Sequence, residues 1–224
     1  MERNRRNYSK EQDRVLQDIE QSGKRPTLLL HVCCAPCSSY VLEYLTHYFS
    51  ISILYYNPNI EPESEFEKRK AELRRLIDSM PLETEVTLLP CEYDNQAFRK
   101  ITKGLEDMPE GGERCLACFR LRLQRTAEEA KRRGFDYFTT SLSISPLKSA
   151  EALNRIGEEV GKELGVAHLP SDFKKKEGYK RSLELSREYG LYRQDYCGCV
   201  FSKAQRVAAQ RNREKSAKEE AVCR

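Results

Sequence analysis

Seven of the nine cysteines fall in three tight groups. The run His31-Val-Cys-Cys-Ala-Pro-Cys37 carries Cys33, Cys34 and Cys37, Cys115-Leu-Ala-Cys118 carries two more, and Cys197-Gly-Cys199 completes the set. Isolated cysteines behave as small buried hydrophobes, whereas grouped thiols suit metal ligation or redox chemistry. The pairs Cys33/Cys34 and Cys115/Cys118 together offer four thiolates, a set for tetrahedral zinc or for an iron–sulfur cluster. Adjacent cysteines chelate one zinc badly but reach separate irons of a cube, so the spacing leans to a cluster. A structural zinc knuckle is the competing reading of Cys115 and Cys118. The third group differs in kind. A disulfide between i and i+2 closes a small strained ring that is easily reduced, which suits passing two electrons. A further metal-ligand pair or an inert turn is the alternative for Cys197 and Cys199.

The remaining candidates have blander readings. His31 lies on an apolar run and reads as a satisfied core histidine, with proton donation or support of a metal ligand as the minor alternative. Cys91 reads as buried and inert. Asp94 reads as a helix N-cap, with metal ligation as the alternative. Cys223 lies near the C-terminus and reads as unstructured.

Elements that place these residues follow from periodicity. Short apolar runs at 27–32, 51–56, 85–89, 135–140 and 166–169 read as buried strands. Helices are expected at 9–22, 36–48, 63–80, 94–104, 115–133, 148–164 and 178–189. Pro36 sits where a first helical turn accepts proline. Alternation of strands and helices predicts an α/β fold with a parallel sheet covered on both faces. Ligands of such sheets bind at the carboxyl ends of the strands, where Cys33, Cys34 and Cys37 fall. No glycine-rich loop stands there, so nothing supports a phosphate cradle at that turn. A helix start beside these thiols favours thiolates.

Composition sets the context. The chain of 224 residues carries a net charge of +4, with an excess of +2 over residues 1–25 and +4 over 202–224. Basic ends on a near-neutral body suit an acidic partner such as nucleic acid, and equally a solvated surface. No apolar run approaches the roughly 20 residues of a membrane span, and the charged start lacks the apolar stretch of a secretory signal. The expected setting is cytoplasmic, where thiols stay reduced. One catalytic domain over 27–203 is expected, preceded by a polar helical extension over 1–26 and followed by a basic polar tail over 204–224 that is frayed or disordered.

Four segments together resemble the QueH family of epoxyqueuosine reductases: His31-Val-Cys-Cys-Ala-Pro-Cys37, Tyr55-Tyr-Asn-Pro-Asn-Ile60, Arg114-Cys-Leu-Ala-Cys118 and Cys197-Gly-Cys199. The resemblance runs from about residue 27 to about 203. It implies a HUP-like fold, related to adenine nucleotide alpha hydrolases. It implies reduction of epoxyqueuosine to queuosine at the wobble position of tRNA, the last step in making that base, without cobalamin. It further implies a [4Fe–4S] cluster held by Cys33, Cys34, Cys115 and Cys118, and a redox-active disulfide between Cys197 and Cys199. The family can hold an additional iron beside the cluster. Cys37 stands where some members have aspartate and is the candidate ligand for it here. An electron donor and tRNA are the implied partners. Tyr55, Tyr56 and His31 are the candidate proton donors. The competing functions are a zinc-stabilised tRNA-binding module without catalysis and a thiol–disulfide oxidoreductase centred on Cys197 and Cys199.

Overall fold

The computed structural model describes residues 6–222, with side chains described to residue 214. Five strands build the sheet: β1 (Thr27–His31), β2 (Ser50–Leu54), β3 (Thr87–Leu88), β4 (Tyr137–Thr140) and β5 (Ala167–His168). All are parallel, in the order β3-β2-β1-β4-β5. Eight helices accompany them: α1 (Tyr8–Ser22), α2 (Ala35–Leu45), α3 (Glu63–Ser79), α4 (Asn95–Thr102), α5 (Glu113–Arg133), α6 (Ala150–Leu164), α7 (Gly178–Glu188) and α8 (Val200–Val222). This is the open parallel α/β sheet expected of a HUP-like fold. No helix among the described residues is long and apolar enough to cross a membrane.

Side chains of a strand alternate between faces, and β1 shows the consequence. Leu28 and Leu30 enter a core with Leu16 and Ile19 of α1, Val41 and Leu42 of α2, and Phe66 and Leu73 of α3. Leu29 enters the opposite core, with Phe119 and Leu123 of α5 and Leu153, Ile156 and Val160 of α6. His31 has the parity of Leu29 and therefore faces α5. Its register partner on β4 is Thr140. The chain runs outward from β1 to β2 and β3, then crosses back to β4 on the other side. That reversal opens a crevice between the carboxyl ends of β1 and β4.

Differences from the expected elements have local causes. The third strand contracts from 85–89 to Thr87–Leu88, because it is an edge strand that pairs only with Ser52 and Ile53 of β2. The fifth, on the other edge, contracts to Ala167–His168 for the same reason. The fourth begins at Tyr137, because the Asp136 carboxylate is engaged instead by the Thr27 amide and hydroxyl, both at 2.8 Å. Helix α6 begins at Ala150, two residues later than expected, because the Ser149 hydroxyl caps the Ala152 amide at 3.1 Å. The C-terminal segment, expected to be a frayed helix or a disordered tail, is the helix α8. Residues 203–214 on it are all exposed.

Candidate metal and redox site

Cys33 follows β1, and Cys34 is the extended N-cap residue of α2, with proline in the first turn. This strand-to-helix corner gathers the three thiols: the Sγ atoms of Cys33, Cys34 and Cys37 all lie within 4.8 Å of one another. Cys33 and Cys34 are 3.7 Å apart. The group titrates as a unit. Hydrogen bonds from the Cys34 and Cys37 thiols hold Cys33 well below the ordinary thiol range, helped by Arg122 and Lys148. The same bonds, with burial, push Cys37 well up, and Cys34 is raised chiefly by its bond to Cys33. One thiolate forms readily; three together need a cation among them.

The second group opens α5. Cys118 is buried, and Cys115 accepts the Gly111 amide at 3.3 Å. Both line a small apolar cavity together with Cys197 and Cys199. The turn that carries the last two is clamped from α3 and the segment before it: Arg69 donates to the Cys197 carbonyl at 3.2 Å, and the Glu61 amide donates to the Gly198 carbonyl at 3.0 Å. Gly198 has φ +121°, and a Cβ there would meet Ile60 at 2.9 Å and Arg69 at 3.1 Å. Backbone conformation and space both demand glycine. Cys197 and Cys199 are free thiols in this structure.

The two thiol groups adjoin. Cys197 also lines a larger cleft, open to solvent, whose lining includes Cys33, Cys37 and Arg122. Glu110 reaches both spaces. Arg122 is 1 % exposed. It donates from Nη2 to Asn57 at 2.6 Å and from Nε to His31 Nε2 at 3.2 Å, and its Nη1 has no partner. Burial opposes its charge, but the neighbouring sulfurs of Cys118 and Cys33 outweigh that and raise its pKa.

Three arginines, Arg69, Arg114 and Arg122, are the largest fully buried side chains. Each leaves at least one buried N–H unpartnered. Glu65 pairs with Arg69 at 2.7 Å, but Arg114 and Arg122 have no carboxylate partner among the described residues; desolvating an unpaired cation costs several kcal/mol, so these two imply buried negative charge. Thiolate sulfur on a metal would supply it. Soft sulfur donors, a coupled three-thiol corner and uncompensated buried cations fit an anionic iron–sulfur group here.

The other candidates separate cleanly. His31 Nδ1 lies 2.8 Å from the Thr140 hydroxyl, and its Nε2 lies 3.1 Å from the Tyr56 carbonyl and 3.2 Å from Arg122 Nε. Burial first, then Arg122, lowers its pKa to about 3. His31 is a neutral buried residue that orients Arg122. The Tyr55 hydroxyl donates to the Phe66 carbonyl at 3.1 Å, and burial pushes Tyr56 up to about 12. None of these three lines the cleft. Asp94 accepts the Ala97 amide at 3.2 Å as the cap of α4. Cys91 packs against the α5 core, and burial raises its thiol to about 11. Cys223 lies outside the described residues.

Sequence reasoning missed Arg69 and Arg122. Both sit at apolar-face positions, Arg69 between Phe66 and Leu73 and Arg122 between Phe119 and Thr126. A cation in a helix stripe otherwise buried was the available signal.

Comparison with known proteins adds an independent finding. The family described as "Epoxyqueuosine reductase QueH" matches residues 28–205. Among curated proteins, an epoxyqueuosine reductase QueH of Staphylococcus epidermidis is 44% identical over 200 residues, covering 88% of this chain and 84% of the relative. One from Streptococcus pyogenes serotype M1 is 43% identical, covering 85% and 77%. One from Thermotoga maritima is 38% identical, covering 80% and 92%.

Proposed function

Given that the chain belongs to the QueH family of epoxyqueuosine reductases, we propose that its thiol-lined cleft is where epoxyqueuosine in tRNA is reduced to queuosine. The observation that supports this most is the convergence of seven thiols from three segments around Arg122, at the carboxyl ends of β1 and β4. Cys33, Cys34, Cys115 and Cys118 would hold a [4Fe–4S] cluster, and Cys37, beside the first two, a further iron. Bound there, such a group supplies low-potential single electrons and an electrophilic iron.

The chain's own residues do the rest. Arg69, Arg114 and Arg122 supply fixed positive charge against the thiolates, with no reorganisation needed as charge moves. Cys197 and Cys199, held by Arg69 and Gly198, are placed to store two electrons as a dithiol and release them as a disulfide. The open cleft, walled by Tyr179 and Tyr196, admits a nucleoside splayed from a single-stranded loop. The test is incubation with epoxyqueuosine-containing tRNA and a low-potential reductant, with nucleosides analysed by mass. Conversion to the species lacking one oxygen is expected; unchanged epoxyqueuosine with fully loaded protein would sink the reading.

Helix α8 carries Lys203, Arg206, Arg211 and Arg213 on its exposed stretch. A helix polar on all sides stands in solvent or meets a polar partner, and these cations suit phosphates. Truncation after Lys203 removes six Lys/Arg and three Asp/Glu. It is expected to weaken tRNA binding without abolishing reduction. If six phosphates are neutralised by the whole protein, log affinity falls against log salt with a slope of about −4, and the truncation reduces that slope. Filter binding across a salt series reads both. Unchanged affinity and slope would make α8 a bystander.

A further inference from the structure

Lys148 is a half-buried cation of the cleft that the fold itself does not use. It lines the cleft together with Cys33, Cys37 and Cys197, in the turn between the 3-10 segment Ser141–Ile144 and α6. Its ammonium has no hydrogen-bond or ion-pair partner among the described residues, whereas Lys174 nearby bonds Asp172 at 2.7 Å and the Ser143 carbonyl at 3.2 Å. The turn beneath Lys148 is rigidly supported. Its amide donates to the Ser145 carbonyl at 3.2 Å. Ser143 Oγ meets Ser171 Oγ at 3.1 Å, and Asn154 bonds Ser171 through both its amide groups, at 2.7 and 2.8 Å. An unpartnered ammonium is thus presented to the same cleft as Cys33, Cys37 and Cys197.

The other cationic side chains that line the cleft are engaged. Arg122 is tied to His31 and Asn57, and a guanidinium does not release its proton. Arg193 bonds Ser186 at 3.0 Å. The Tyr196 ring is covered by Arg69 and Lys203.

We propose that Lys148 is a catalytic residue of the reduction: its ammonium binds the epoxide oxygen and gives it a proton as the first carbon–oxygen bond breaks. The proposal rests on the reading of the chain as an epoxyqueuosine reductase. The electrons come from the low-potential reductant that this activity consumes. Two electrons enter at carbon while the breaking bond leaves its pair on oxygen. Oxygen takes the Lys148 proton and becomes a hydroxyl on the neighbouring carbon. The carbon pair then closes the double bond, and the hydroxyl leaves as water with a second proton from solvent in the cleft. Epoxide, two electrons and two protons give alkene and water, and Lys148 recovers its proton from solvent.

The test is steady-state reduction of epoxyqueuosine-containing tRNA by the iron-loaded wild type, Lys148→Met and Lys148→Gln. In both variants kcat is expected to fall by about 100-fold, the scale of a lost proton donor. KM should stay within about threefold, since the loss is confined to the transition state. Iron per chain should match the wild type. Added methylamine should restore Lys148→Met by about tenfold or more, because a free ammonium replaces the missing donor. Wild-type kcat in both variants overturns the proposal. So does a loss of activity that tracks a loss of iron and resists methylamine, since Lys148 then only offsets thiolate charge. An inactive loaded wild type would bring down the functional reading itself, and this assignment with it.

Discussion

Protein purified without oxygen is expected to be brown, with iron and acid-labile sulfide in comparable amounts. Replacing Cys115 or Cys118 with alanine should bleach it. The reason lies in the charge of the buried site as much as in the thiols. Arg114 and Arg122 flank Cys115 and Cys118 on α5, are each 1 % exposed, and carry N–H groups with no protein partner. Breaking a buried charge pair by removing one partner costs about 3–5 kcal/mol, so a metal-free site should also be less stable. Thermal melting should therefore show the iron-loaded protein more stable than the chelator-stripped one. Stability gained from a bound group grows with its concentration over its dissociation constant. A colourless protein holding one tightly bound zinc, even after anaerobic reconstitution with iron and sulfide, would end the cluster assignment. Equal melting of stripped and loaded protein would show that the buried arginines are satisfied some other way.

Turnover should collapse when Cys197 and Cys199 are both replaced by serine, while the colour of the cluster and tRNA binding persist. These residues lie in a turn clamped by Arg69 and Glu61, outside the tight corner of Cys33, Cys34 and Cys37. A loop this short removes little entropy from the unfolded chain, so a disulfide within it adds little stability and serves better as a store of electrons. The variant should lose activity by several orders of magnitude with any donor that works through the dithiol. A single partial turnover from a prereduced cluster is expected to survive. Loss of iron in the double variant would make these cysteines ligands and the set of four wrong. Turnover at the wild-type rate would make the pair structural.

Much of this site was legible in the chain before any fold was known. Thiol chemistry is local: Cys33-Cys34, Cys115-Leu-Ala-Cys118 and Cys197-Gly-Cys199 declare themselves by residue type and spacing. The parallel sheet was legible for the same kind of reason, because strands buried on both faces read as continuous apolar runs such as Leu28-Leu-Leu30. The caps at Asp94 and the proline in the first turn of α2 followed from short-range hydrogen bonding and steric preference.

Tertiary structure decided what depends on distant partners. His31 and Tyr55 have side chains able to donate protons, and only their neighbours, Arg122 with Thr140 and the Phe66 carbonyl, turn them away from the cleft. The edge strands β3 and β5 are short because each has one neighbour to pair with, which no local pattern encodes. Arg69, Arg122 and Lys148 looked like ordinary surface charges in a chain rich in them. Burial sets Arg69 under the Cys197 turn, Arg122 beside the thiols and Lys148 in the cleft wall, and burial is a property of how α3, α5 and the turn before α6 close on the carboxyl ends of β1 and β4. The chemistry available was written in residue types; which groups face the substrate was settled by long-range packing, because the strength of a charge depends on what surrounds it.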